Sequence, residues 1–441
     1  MKRLLIIMSI VVFAPALIAQ TTLRRAVEMA VENNSELQMA KEDMSIAKYD
    51  YKDVKGQLFP QISLNASYSL EKNYLPESMV AQRNLSYKDT ETASFAGQVR
   101  LQQLLFSGGK LINGIRVLDK VKTLQSTKYE LALENVMIEV INAYYNLYLA
   151  IEGLNIQRQA LVNAERHFSR VENLYTQGLV SEYDMLRAEL EVSRLYPEVL
   201  KYENLKNIAE ENFKRITGLS GEILLELDLE SKTQKFMGYE LTLDDALNIA
   251  DNNRMELKLI NLATDMYKIQ HSAEKSNYLP NLMLQADITK YTAASSFTIE
   301  KDDFGTMGTV GLLFTMPIFT GMSNTSKALR AKHELRKSEF DVINTTELIQ
   351  LDIRQTWQTF FQSIKYLETQ EKNMDLAERA LFIAQARFNN QTGIQLEVFD
   401  AQIQHNAAQI SLAQAKITII KDYYALNKAI GNKLNKMIEE L

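Results

Sequence analysis

The chain contains no cysteine, which excludes disulfides, thiol nucleophiles and thiolate metal sites. Punctuation is sparse as well: 16 glycines and 6 prolines in 441 residues are too few for a string of loop-rich domains. The glycines come singly or as Gly108-Gly109, without a phosphate-cradling loop. Four histidines, His167, His271, His333 and His405, are scattered without the i, i+4 spacing of a zinc helix and read as surface residues. Positive charge is not in excess, because the net charge is −6, so composition gives no reason to expect nucleic acid. Acid pairs occur without any accompanying pocket pattern for acid–base work. No catalytic residue, metal ligand or cofactor is assigned, and nothing supports an enzyme. Outside the first twenty residues no apolar run approaches a membrane-spanning helix, so any insertion in a bilayer must use strands.

Those first residues are distinct. Lys2 and Arg3 precede an apolar run ending in small residues at Ala14, Ala16 and Ala19, the layout of a secretory signal peptide at 1–19. The rest is rich in Ala, Leu, Glu, Lys and Gln, the composition of long helices. From Leu133 to Tyr175 apolar residues step by three and four: Val136, Val140, Ala143, Leu147, Leu154, Leu161, Phe168 and Val171, with Gln157 the polar exception. Such a narrow stripe belongs to a helix lying along other long helices. A weaker copy follows 213 residues on, as Ile349, Ile353, Phe360, Leu367, Ala384 and Phe388.

The duplication covers more than the stripe. Thr22, Leu23, Ala26, Ala30, Asn33 and Pro60 match Thr242, Leu243, Ala246, Ala250, Asn253 and Pro280, an offset of 220. The first repeat is expected to occupy 20–218, with helices over 22–58, strands at 61–70 and 93–105, a long helix at 110–177 and a return helix at 183–217. A linker at 219–240 leads to the second repeat, 241–431, with helices over 242–279, strands at 281–291 and 306–318, a long helix at 323–391 and a return helix at 396–430. A charged tail occupies 432–441. After each proline the period changes to two: Ile62, Leu64, Ala66, Tyr68 and Leu70 alternate with Ser63, Asn65, Ser67 and Ser69. Strands with one apolar and one polar face suit either an ordinary hairpin or an outer-membrane barrel. Each long helix should extend ~100 Å at 1.5 Å per residue. Four amphipathic strands cannot close a barrel, and open edges in lipid would leave unpaired amides, so the barrel should be shared among identical chains. Strand pattern alone does not choose three copies over two or four.

This layout resembles the TolC-type outer-membrane efflux family over about Thr22 to Gly431. The likeness rests on the paired Thr-Leu-x-x-Ala openings, the Leu-Phe-Pro and Tyr-Leu-Pro helix stops, the Leu-Phe-Ser-Gly-Gly exit at Leu105 to Gly109, and Ala143-Tyr144 in mid-helix. The text around the turns, Tyr175 to Ser181 and Gln395 to Ala401, adds to it. The resemblance implies a mainly α fold with a small transmembrane β part, and a homotrimer whose twelve-stranded barrel continues as a helical tunnel. It implies an exit duct for efflux or type I secretion, set in outer-membrane lipid, served by a periplasmic adaptor and an inner-membrane pump. The adaptor-docking tips would be Gly178, Leu179, Val180 and Ser181, with Gln391, Thr392, Gly393 and Ile394. Glu397 and Asp400, with Asp184, would narrow the tunnel; apart from the resemblance, Glu397 and Asp400 are a solvated i, i+3 helix face. A latch of Tyr and Arg on Thr-Asp, found in some members, would fall here on Phe388, Gly393, Tyr183 and Asp184, of which only the Asp is retained. The single tryptophan, Trp357, matches Tyr144 across the repeat and reads as a packing residue. The competing reading is a periplasmic coiled-coil adaptor or structural protein without a barrel, which would carry small globular modules in place of the strands.

Overall fold

The elements follow from local chemistry repeated at the two offsets. The computed structural model describes residues 21–74, 89–219, 221, 223–225, 229–294, 299–390 and 392–434. The expected leader at 1–19, Gln391 and most of the tail at 432–441 lie outside these residues. In chain order come α1 (Leu23–Asn33), α2 (Ser35–Gly56), β1 (Gln61–Tyr74), β2 (Asp89–Ser107), α3 (Lys110–Thr176), α4 (Glu182–Thr217) and α5 (Leu229–Met237). Then follow α6 (Leu243–Asn253), α7 (Met255–Lys275), β3 (Asn281–Ala294), β4 (Gly305–Thr315), α8 (Ser323–Asn389) and α9 (Gln395–Ala429). Thr22 caps α1 by accepting from the Arg25 amide, and Thr242 caps α6 by accepting from the Asp245 amide. The long helices α3 and α8 have 67 residues each.

The repeats are not the compact units. Ala40–Tyr129 and Glu256–Thr346 make one unit, and the rest of the described chain makes the other, so each unit draws on both repeats. The reason is physical. A helix of this length cannot bury its stripe against its own repeat alone, and strands from both repeats join one sheet. That sheet is antiparallel with order β1-β2-β3-β4. The central pairing, β2 with β3, crosses from the first repeat to the second, with Val99 opposite Ile288 and a bulge between Leu104 and Phe106.

Several boundaries differ from the sequence reading, the third strand among them, which runs on from 291 to Ala294. The first two strands run past 61–70 and 93–105, because the ladder continues through Glu71–Thr92 to Tyr74–Asp89. The last strand stops at Thr315 rather than 318, where Pro317 has no amide to offer the ladder. The linker at 219–240 contains helix α5. Its Phe236 is buried and stacks on Tyr423 at 4.0 Å, while Glu230 pairs with Lys416 at 2.5 Å. Phe236 contributes a buried aromatic face, enough to order a segment that composition alone leaves polar.

The core of the helical unit lies where the middles of α3 and α8 meet the C-terminal parts of α4 and α9. Tyr144, Tyr145, Phe213, Phe360 and Tyr424 are fully buried. The heptad stripe supplies Val136, Val140, Leu147, Val171, Ile353 and Leu367 to the same interior. In the sheet unit the apolar strand face is bare: Leu64, Ile288 and Val310 are 73%, 62% and 79% exposed. Burying such a face is the largest unmet demand in the sheet.

Candidate functional site at the two hairpin turns

Each long helix ends in a short turn, and both turns belong to the helical unit. At the first, Gly178 takes the left-handed conformation (φ 71°) and its amide donates to Tyr175 O at 2.8 Å. The Leu179 amide donates to Leu174 O at 2.9 Å. Leu179 itself projects outward, 61% exposed, and Val180 leads to Ser181. Ser181 caps α4 in a full capping box with Asp184. The Ser181 hydroxyl donates to the Asp184 carboxylate at 2.6 Å, and the Asp184 amide donates back to that hydroxyl at 3.2 Å. The Asp184 carboxylate is thus engaged in holding its own helix start.

The second turn is built on one carbonyl. Arg387 O accepts from the amides of Thr392 (2.9 Å) and Gly393 (3.1 Å) and from the Thr392 hydroxyl (3.1 Å). The Arg387 guanidinium reaches the Glu397 carboxylate at 3.1 Å. A side chain on Gly393 would meet Arg387 Cβ at 2.9 Å and Glu397 Oε2 at 3.1 Å, so glycine keeps that ion pair accessible. Ile394 is exposed and precedes α9 without a side-chain cap. Asp400, one turn beyond Glu397, is exposed and makes no ion pair among the described residues.

Of the three acids read from the sequence, each has a different environment. Asp184 is in a cap, Glu397 is paired, and Asp400 keeps an unbalanced charge. The structure does not join Asp184 to either of the others. Gln391 lies outside the described residues. Of the positions matching the latch, Phe388 packs against the His167 ring at 5.5 Å, and Asp184 bonds to Ser181.

Other residues hold the hairpins together. Arg170 of α3 donates to Asn389 Oδ1 at 3.1 Å, and Gln395 lies 3.4 Å from His167 Nε2. The His167 ring also meets Phe399 edge-on at 5.2 Å. Contrary to the surface reading, His167 is half-buried. Burial first, and the Arg170 charge second, push its pKa below the ordinary 6.5. His167, Arg170, Asn389 and Phe399 border a cleft of about 310 Å³ between the helices. Neither His167 nor Arg387 has a counterpart in the other repeat, since Ala380 and Leu174 occupy those places, so duplication gave no signal for them. Among the described residues no three His, Asp or Glu side chains gather as metal ligands, and no helix is long and apolar enough to cross a membrane.

Comparison with known proteins follows the same architecture. The outer membrane efflux protein family model matches residues 26–219 and 246–432. The outer membrane protein TolC of Salmonella enteritidis is 23% identical over 417 residues, covering 93% of this chain and 82% of the relative. The alkaline protease secretion protein AprF of Pseudomonas aeruginosa is 19% identical over 390 residues, 88% of this chain and 80% of the relative. The crystal structure of the CmeC outer membrane channel of Campylobacter jejuni superposes with a TM-score of 0.77 at 17% identity, covering 95% of this chain and 88% of CmeC.

Proposed function

The chain belongs to the outer membrane efflux protein family, and on that premise we propose that three copies close a twelve-stranded barrel and present their hairpin turns to a periplasmic adaptor and an inner-membrane pump. The chain is an outer-membrane exit duct for efflux and type I secretion, a conduit whose work is conduction. One observation carries the assembly: the sheet is open. Among the described residues β1 pairs only with β2 and β4 only with β3, so both outer edges lack partners there. Its apolar face is bare as well. In a bilayer, unpaired edge amides cost several kcal/mol each, and closure with identical edges of further copies removes that cost. A barrel-free adaptor has no use for such a sheet.

The turns suit docking. Leu179 and Ile394 are exposed apolar tips beside Gly178 and Gly393, on backbones fixed by the turn hydrogen bonds. Rigid apolar tips at glycine turns let a partner's helix ends approach closely. Glu397 and Asp400 would then stand at the tunnel mouth, three copies of each, and rings of acid there favour cations and repel one another. The test is electrical and biochemical. Glu397→Ala with Asp400→Ala should raise single-channel conductance in planar bilayers, and crosslinking at Leu179 and Ile394 should capture the adaptor. Recovery of the protein without detergent in the soluble periplasmic fraction would overturn the duct reading; unchanged conductance and ion selectivity would remove the two acids from the constriction.

A further inference from the structure

The polar face of the sheet carries, between uncharged layers, a layer of opposite charges whose role the conduit reading leaves open. Arg100 of β2 stands opposite Asp287 of β3 in register. Ser63 faces Arg100 from β1, and Thr309 faces Asp287 from β4. The neighbouring layers of the same face are uncharged: Gln61, Gln102, Gln285 and Gly311 on one side, Asn65, Gln98, Thr289 and Met307 on the other. Arg100 lies along that face, its Nη2 donating to Gln98 Oε1 at 2.9 Å. The Asp287 carboxylate makes no hydrogen bond or ion pair among the described residues.

Alternation fixes which side this is. Leu64, Val99, Ile288 and Val310 project from the other face, exposed and apolar, and belong against lipid. Arg100 and Asp287 therefore belong on the aqueous side, where a charge needs no burial. Cα atoms of directly opposed residues lie about 5 Å apart, inside the Debye length of roughly 8 Å at physiological salt. Opposite charges carried on directly opposed positions offset one another's field along the layer, without a direct ion pair. A ring of one sign would select instead.

We propose that Arg100 and Asp287 form a charge-compensated belt inside the barrel, which keeps the exit permissive to cargo of either sign. The belt rests on the reading that sheets of three copies close one barrel with this face inward. It differs from the acids at the turns, being on other elements and of mixed sign.

The experiment is the reversal potential across planar bilayers under a KCl gradient, for the full-length protein and four variants. Asp287→Asn should move the permeability ratio toward chloride, and Arg100→Gln toward potassium, by about twofold each. The double variant should return to the wild-type ratio, and Arg100→Lys should keep it. The acids at the turns are common to all five proteins and cancel from the comparison. Shifts absent in both single variants, or in the same direction, overturn the belt. A wild-type protein that opens no channel overturns the barrel reading itself.

Discussion

Trp357 donates its indole N–H to the backbone carbonyl of Leu241 at 2.8 Å, and 213 residues earlier Tyr144 donates its hydroxyl to Thr21 O at 3.1 Å. Leu241 and Thr21 each sit just before a capping threonine, so both repeats tie the start of their first helix to the middle of their long helix. Two different side chains perform one structural act.

Tyr144→Phe removes that bond while keeping the ring against Tyr145 and Phe213. The Thr21 carbonyl then loses that donor in a buried setting, and the expected loss is about 1–2 kcal/mol. Trp357→Phe loses the bond and part of the contact with Phe361, and should cost more. Urea midpoints of the detergent-solubilised protein measure both. Equal stability of Tyr144→Phe and wild type would mean the tie is not energetically significant.

Glycine substitutions should separate backbone conformation from space. Gly178 (φ 71°) has nothing within 4 Å of an added Cβ, whereas Gly218 (φ 70°) would place it 2.7 Å from Asn33 Cβ. Gly178→Ala should therefore cost about 1 kcal/mol, the left-handed penalty alone. Gly218→Ala adds a clash and should cost at least about 2 kcal/mol. Gly431 repeats the contact at Asn253, 2.8 Å from its carbonyl carbon, so Gly431→Ala should behave like Gly218→Ala. Thermal melts that rank Gly178→Ala as the more damaging would contradict this account.

What the sequence reveals here follows from how local each cause is. Helix starts at Thr22, Thr242 and Ser181, stops near Gly178, Gly218 and Gly431, and period-two strands all depend on neighbours a few residues away, and they are readable as text. The β2–β3 pairing depends on strands 190 residues apart, and Ala93 opposite Ala294 marks no preference that composition carries. The α5 helix depends on Phe236 finding Tyr423, again distant in the chain. The turn acids show the same limit within five residues of loop. Glu397 is readable as an acid near a turn, but its neutralisation by Arg387 depends on how the turn at Gly393 folds back.

That pairing has an electrical consequence. With Glu397 bound to Arg387 and Asp184 bound in its cap, Asp400 is the acid whose charge is unbalanced. Asp400→Asn should therefore reduce cation selectivity of the open channel. Arg387→Gln should increase it, because three Glu397 carboxylates are then released. Permeability ratios in planar bilayers check both; unchanged selectivity in Asp400→Asn would place that carboxylate outside the conducting path, and unchanged selectivity in Arg387→Gln would place the Arg387–Glu397 pair outside it.

The cleft at His167 should respond to acid. Its imidazole meets Phe388, Phe399 and Gln395, with Arg170, Arg166 and Glu191 bordering the same cleft. Burial and the Arg170 charge hold its pKa below 6.5, so the unfolded chain takes up the proton first as pH falls. The native contribution of this site is therefore complete above about pH 6.5 and is lost as pH drops from there through the lowered native value. A neutral ring of similar size, His167→Phe, cannot titrate. Its urea midpoint should fall less than that of wild type between pH 7.5 and 5.5. His271, also shifted downward, is present in both proteins and does not affect the difference. In the wild type, acidification should also loosen α3 from α9 locally, read as faster trypsin cleavage at Arg387 at pH 5.5 after correction for enzyme activity with an unfolded substrate. If His167→Phe and wild type lose stability in parallel across that interval, the acid response belongs to the carboxylates and not to this ring.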